Sequence, residues 1–313
     1  MKVLQADDVG ARSGRAGGGG ARAVEREPTA DIGRLLVSCP DGPGIVASIT
    51  AFLHTRGANI IQSDQYSTDP LGGRFFLRVV FHLSGLAERL DALEREFGGE
   101  VAGRLGLTFQ LRTASVPKRV ALFVSRFDHC LLDLLWRWER DELPIDVVQV
   151  VSNHLDLADA VAGFGVPYAH IPVTKDTKAE AEAEQLELLA GRVDFIVLAR
   201  YMQILTKGFL DELGVPAINI HHSFLPAFAG AGPYERAKTR GVKLVGATAH
   251  YVTEDLDEGP IIDQDVARIS HRDDVTDITR LGADVERTVL SRAVAWHAED
   301  RVLLNGNTTV VFG

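Results

Sequence analysis

Cysteine is almost missing from this chain: 313 residues hold two, Cys39 and Cys130, at neither metal-ligand nor redox-motif spacing. They read as buried thiols in a reducing cytosol, which places the protein in the cytoplasm. No apolar run approaches the roughly 18 residues needed to span a bilayer, so no membrane partner is expected. Basic residues are also scarce: the net charge is -10 and no Lys/Arg cluster offsets it locally, which argues against a nucleic-acid partner. What is present is 46% hydrophobic residue content and enough length for two globular domains.

Residues 1–31 differ from the rest. GARSGRAGGGGARAVEREPTA is rich in Gly, Ala and Arg without apolar periodicity, and cannot bury enough surface to order itself. A transit peptide is the other reading, but the stretch carries acidic residues and no amphipathic face, so a disordered extension is expected.

From Arg34 the pattern is regular. RLLVSC reads as a strand, GIVASITAFLHTRG as a helix with Ile45, Ile49, Phe52 and Leu53 at helical spacing, and ANIIQSDQYSTD and RFFLRVVFHL as strands joined by a turn around Pro70 to Gly73. LAERLDALEREFG and LTFQLR add a helix and a strand. The order βαββαβ predicts a ferredoxin-like domain over residues 32–113. After a linker at 114–118, strands and helices alternate through RVALFVS, HCLLDLLWRWERDEL, IDVVQVVS, DLADAVAGFG, YAHIPV, KAEAEAEQLELLAG, DFIVLARYM and PAINIHH. That alternation predicts a doubly wound, mostly parallel α/β domain over 119–313, whose ligand crevice lies at the carboxyl ends of its strands.

One such end carries chemistry. The run AINIHHSFLPAF delivers Asn219, His221 and His222 into one turn, and GATAHYVTEDLDEGPII supplies Asp257 inside a DEGP turn. An amide, an imidazole and a carboxylate are the groups needed to polarise a carbonyl, move a proton and hold the imidazole's tautomer. The plainer reading is a strand-end turn in which Asn and His satisfy the backbone. A zinc site from His221, His222 and Asp257 lacks a third imidazole at metal spacing, so no metal is expected. His250 reads as a satisfied core histidine, and His271 and His297 as surface or packing residues.

Two resemblances sharpen this reading. The loop Asp41-Gly42-Pro43-Gly44 and the strand-opening Asn59 resemble the ACT family, in which such a loop forms an amino-acid site. A helix N-terminus with free backbone N–H groups suits a carboxylate. The resemblance implies a regulatory site at Asp41, Gly42, Gly44 and Asn59, a possible amino-acid effector, and a homo-oligomer, since ACT domains pair; a purely structural role stands beside it. VDFIVLARYMQIL, AINIHHSFLPAF and HYVTEDLDEGPII resemble the folate-dependent formyltransferase family. That resemblance assigns catalysis to Asn219, His221 and Asp257. It assigns substrate binding to Arg200, Tyr201, Met202, Ile204, Leu205, His222, Thr253, Glu254 and Glu258. The substrate it implies is 10-formyltetrahydrofolate, in one-carbon and purine metabolism, with no separate cofactor.

Within that family either water or an amine can attack the formyl carbon. The transferases hold an acceptor phosphate on a glycine-rich first βα turn; here that turn is VSRFDHCL, without glycine, with Phe127 bulky and Asp128 placed as an N-cap. A phosphate there meets a carboxylate. This, with the ACT-like domain in front, the doubled histidine and the terminal TTVVF, resembles the hydrolytic members, which release formate; transfer to an amine is the alternative. Gly232 stands where the family usually carries a lysine. The role of His222, water binding or structural, stays open at this point.

Overall fold

The computed structural model describes residues 29–226 and 233–313. The expected extension up to residue 28 and the departure at Gly232 lie outside the described residues.

A 3-10 turn (Thr29–Asp31) leads into β1 (Ile32–Pro40), α1 (Ile45–Thr55), β2 (Asn59–Ser67), β3 (Arg74–His82) and α2 (Leu86–Phe97). A π turn (Gly98–Ala102) and one-turn α3 (Gly103–Leu105) follow, then β4 (Thr108–Thr113). The sheet order β2-β3-β1-β4 is antiparallel, which is the βαββαβ arrangement expected of the first domain. Its core packs Val37, Ile49, Phe52, Leu77, Phe81 and Phe97 between sheet and helices, and Phe97 stands edge-on between Phe52 and Phe109.

The second domain comprises β5 (Lys118–Val124), α4 (His129–Glu139), β6 (Ile145–Ser152), α5 (Ala158–Ala162), β7 (Tyr168–His170), α6 (Lys178–Leu189), β8 (Phe195–Leu198), α7 (Lys207–Leu213) and β9 (Ala217–His221). It continues through α8 (Pro233–Arg240), β10 (Leu244–Tyr251), β11 (Ile261–Arg268) and α9 (Val275–Ala298) to a hairpin of β12 (Val302–Asn305) and β13 (Thr308–Val311). The seven-stranded order is β11-β10-β9-β8-β5-β6-β7, parallel from β9 to β7, with β10 and β11 antiparallel at one edge. Strands buried on both faces explain the unbroken apolar runs at 120–124 and 195–198. The chain winds outward from β5 through β6 and β7, then returns to β8 on the other side. The topological switch therefore falls between β5 and β8, and a crevice opens beyond their carboxyl ends.

One expectation is corrected. Asp128 occupies the N-cap position of α4 but its side chain caps nothing. After α9, Gly306 at φ 61° turns the chain back and lets β13 pair with β12. Among the described residues no helix is long and apolar enough to cross a membrane.

The two domains are locked at the end of α9. Asp300, 5% exposed, takes Arg34 of β1 at 3.3 Å and Lys118 of β5 at 2.6 Å, with Arg112 of β4 at 3.9 Å. Arg78 of β3 donates to the carbonyls of Asp300 and Glu299, and Lys118 to that of His297. Cations at a helix C-terminus are favourably placed against its dipole and satisfy its free carbonyls.

Candidate active site

The crevice is pinned by Ser125, just past β5. Its amide donates to the Arg200 carbonyl (3.2 Å); its hydroxyl donates to Asn153 (2.7 Å) and accepts from the Met202 amide (3.0 Å). The loops after β5 and β8 are thereby tied together over a cavity of about 580 Å³. Met202, Ile204 and Leu256 stand exposed on one wall, an apolar rim suited to a flat heterocycle.

At the end of β9, Asn219 and His221 face Asp257 across the β10–β11 turn. His221 Nδ1 lies 3.2 Å from Asp257 Oδ1. A carboxylate accepts, so Nδ1 carries the proton and Nε2 keeps its lone pair. That Nε2 is buried and has no protein partner. Asp257 reaches this position at φ 60°, held by a turn that only glycine can close at 259, where a side chain would collide with the Tyr251 carbonyl. The hydrogen bond from His221 keeps the Asp257 carboxyl below the usual carboxylate range. The C-terminal hairpin braces the turn: Asn307 donates to the Glu258 carbonyl and Thr309 to that of Ile261.

His250, on the neighbouring β10, fixes the amide. Its Nδ1 meets the Tyr251 carbonyl at 2.9 Å, which must accept, so Nε2 is bare and accepts from Asn219 Nδ2 at 3.1 Å. Burial pushes this imidazole below its ordinary range, so it stays neutral. One N–H of Asn219 is thus spent on His250 and the other is left for a ligand.

A second cluster borders the same cavity. Glu286 of α9, 2% exposed, receives His129 Nε2 (2.8 Å), Tyr234 Oη (2.5 Å) and Arg200 Nη1 (3.3 Å). Burial alone would raise its carboxyl, but the His129 hydrogen bond and the Arg200 charge outweigh that and hold it low. Gly282, one turn earlier in α9, is required because any side chain there would strike the Tyr234 ring. Glycine inside a helix costs about 1 kcal/mol against alanine, and the approach of Tyr234 explains its presence. Arg200 lies over the Phe127 ring at 4.8 Å, and its Nε is buried without a partner. His222 joins this group, edge-on to both His221 and Tyr234; burial, with Arg200 nearby, pushes its imidazole down to about 4. Ligand atoms of His129, Cys130 and Glu286 also lie within 4.8 Å of one another. Burial raises the Cys130 thiol well above its ordinary range, and both Glu286 oxygens are already engaged by His129 and Tyr234.

Of the residues singled out from sequence, Asn219, His221, His222, Asp257, Arg200, Tyr201, Met202, Ile204, Leu205, Thr253 and Glu254 all line the cavity. Glu258 does not; it is exposed and offers its carbonyl to Asn307. In the first domain Asp41 turns its carboxylate on its own loop, accepting from the Gly42 amide and the Ser67 hydroxyl, and Gly44 caps α1 at φ 87°. Asn59 pairs with His82 whereas Ser67 pairs with Phe75. It therefore lies at the opposite end of β2, about 26 Å away at ~3.3 Å per residue. One chain alone does not bring Asn59 to the Asp41–Gly44 loop. Sequence reasoning missed Glu286, His129 and Tyr234, and read His250 as core only. One signal was available: Glu286 interrupts the buried stripe Ile278, Gly282, Leu290, Val294 at four-residue spacing, where an acid needs a reason.

Comparison with known proteins agrees with this architecture. Residues 118–294 match the formyl transferase family model and residues 33–98 the ACT domain model. The formyltetrahydrofolate deformylase of Mycobacterium tuberculosis is 61% identical over 283 residues, covering 90% of this chain and 91% of the relative. The crystal structure of a formyltetrahydrofolate deformylase from Pseudomonas syringae superposes with a TM-score of 0.86 at 46% identity, over 90% of this chain and 94% of that one. A glycinamide ribonucleotide transformylase from Symbiobacterium toebii matches less, with a TM-score of 0.59 and 28% identity over 66% of this chain and 97% of its own.

Proposed function

The chain belongs to the formyltetrahydrofolate deformylase family, and from that premise we propose that it hydrolyses 10-formyltetrahydrofolate to formate and tetrahydrofolate through Asn219, His221 and Asp257. The observation that carries the residue assignment is the bare, buried Nε2 of His221 beside the free N–H of Asn219. In the proposed reaction the formyl oxygen accepts from Asn219 Nδ2, whose orientation His250 holds. His221 Nε2 takes a proton from water as its oxygen bonds to the formyl carbon, and the positive charge that develops on the ring is balanced by Asp257. The tetrahedral adduct then collapses: the C–N10 bond breaks, the His221 proton passes to N10, and formate leaves. Imidazole is the side chain suited to both steps, since it can take up and give back a proton near neutral pH.

The pterin is assigned to the wall formed by Tyr201, Met202, Ile204, Leu205 and the Thr253–Leu256 turn. The substrate carries the formyl group itself, so no step requires a cofactor. The Asp41–Gly44 loop is assigned to a small-molecule effector, an amino acid by its chemistry. Its separation from Asn59 within one chain favours a paired assembly in which a second copy supplies the remainder. A cytoplasmic location suits two buried thiols and a folate substrate.

Incubating the full chain with 10-formyltetrahydrofolate alone and following formate tests the reading. Release without any amine is expected; release only when an amine is added would replace hydrolysis by transfer.

A further inference from the structure

Arg200 is an anomaly of backbone and burial together. It sits at φ 65°, a region that suits glycine, yet carries one of the longest side chains and keeps it 7% exposed. That side chain runs to Glu286 at 3.3 Å, lies over Phe127 at 4.8 Å and leaves a buried Nε without a partner. Glu286 is in turn held by His129 and Tyr234, so four side chains converge to keep one arginine in place. All of them line the cavity, and His222 stands between them and His221.

We propose that Arg200, fastened by Glu286 and backed by Phe127, is a specificity-determining plug: it fills the side of the cavity from which an amine acceptor would reach the formyl carbon and leaves room for water alone. This rests on the hydrolytic reading above. The apolar wall of Met202, Ile204 and Leu256 is exposed, so a pterin can pack there while Arg200 stays paired with Glu286. A fixed guanidinium also repels a protonated amine. The left-handed backbone at 200 accompanies a side chain that turns to Glu286 and Phe127.

The test is a partition experiment on the full chain. Wild type and Arg200→Gly receive 10-formyltetrahydrofolate with glycinamide at increasing concentration, and formate and N-formylglycinamide are both quantified. Glycine suits the backbone at 200 and opens the volume. The ratio of formyl transfer to hydrolysis is expected to rise at least tenfold in R200G, and added methylguanidinium to bring it back toward the wild-type value. An unchanged ratio in folded R200G overturns the plug, as does efficient formyl transfer to glycinamide by the wild type. If the buried Glu286 carboxylate, left without the Arg200 charge, prevents folding, R200G/E286Q removes both charges together and is read in the same way. Formate release by the wild type without amine tests the hydrolytic reading separately, so failure of one is distinguishable from failure of the other.

Discussion

Glu286 and Asp300 are two buried carboxylates, one within α9 and one just past its end, and they act differently. Both are nearly inaccessible, and each gathers cationic or hydrogen-bonding partners from several elements. The partners of Asp300, namely Arg34, Arg112 and Lys118, come from the first-domain sheet and the start of β5, and Arg34 and Lys118 also close carbonyls at the end of α9. The partners of Glu286 border a cavity, and one of them keeps a donor unpaired. A buried acid with every partner satisfied is a fastening. A buried acid whose partner holds a spare donor beside open volume is part of a site.

The contrast breaks or sharpens on a graded set of variants. Asp300→Ala strands Arg34 and Lys118 in a buried interface, and an expected loss of about 3–5 kcal/mol follows. Chemical denaturation measures it, and the contrast fails if D300A keeps its stability yet loses turnover per folded molecule. Asn219→Ala should do the reverse. Formate release falls by about 10²–10³, while folate affinity, measured by calorimetry, and the thermal midpoint stay close to wild type. Near-normal hydrolysis by N219A would remove Asn219 from the chemistry.

Acid should perturb the cavity end less strongly. The His222 pKa is depressed when folded, to about 4, so the folded chain binds fewer protons than the unfolded one below the ordinary value of 6.5. Stability therefore declines as pH falls from about 6.5 toward 4, by on the order of 3 kcal/mol in full, and His222→Gln should flatten that part of the curve. The His221–Asp257 pair adds a loss only further down, as pH falls through a folded carboxyl pKa lowered from 3.8. The smallest effect belongs to the exposed pair of Arg56 with Glu96, at 2.7 Å. Glu96→Ala should cost under about 1 kcal/mol and vanish into salt screening, which a urea titration at two ionic strengths checks.

Residue patterns carried most of this architecture. Apolar runs at 120–124 and 195–198 marked strands buried on both faces, helical spacing at Ile45, Ile49 and Phe52 marked α1, and the Asn219-to-Asp257 set lay in two short motifs. The failures were specific. Asp128 looked like a cap because type and position agreed, but a cap also needs a side-chain rotamer that local sequence does not dictate. Asn59 was grouped with the Asp41 loop by family resemblance, and only strand register shows that within one chain the two lie at opposite ends of β2, so that joining them takes a second copy. Tyr234 and Glu286 lie 52 residues apart, beyond the reach of any local pattern, and they meet only because Gly282 clears the path of the Tyr234 ring.

Sequence was sufficient for periodicity, domain order and the chemical types at the end of β9 and in the acidic turn, because those depend on neighbours along the chain. Only the tertiary structure decided which nitrogen of His221 is bare, that His250 orients the Asn219 amide, and that Arg200 turns toward Glu286. These are long-range contacts between elements, made after the chain has folded. They depend on distance and burial, which no local pattern encodes.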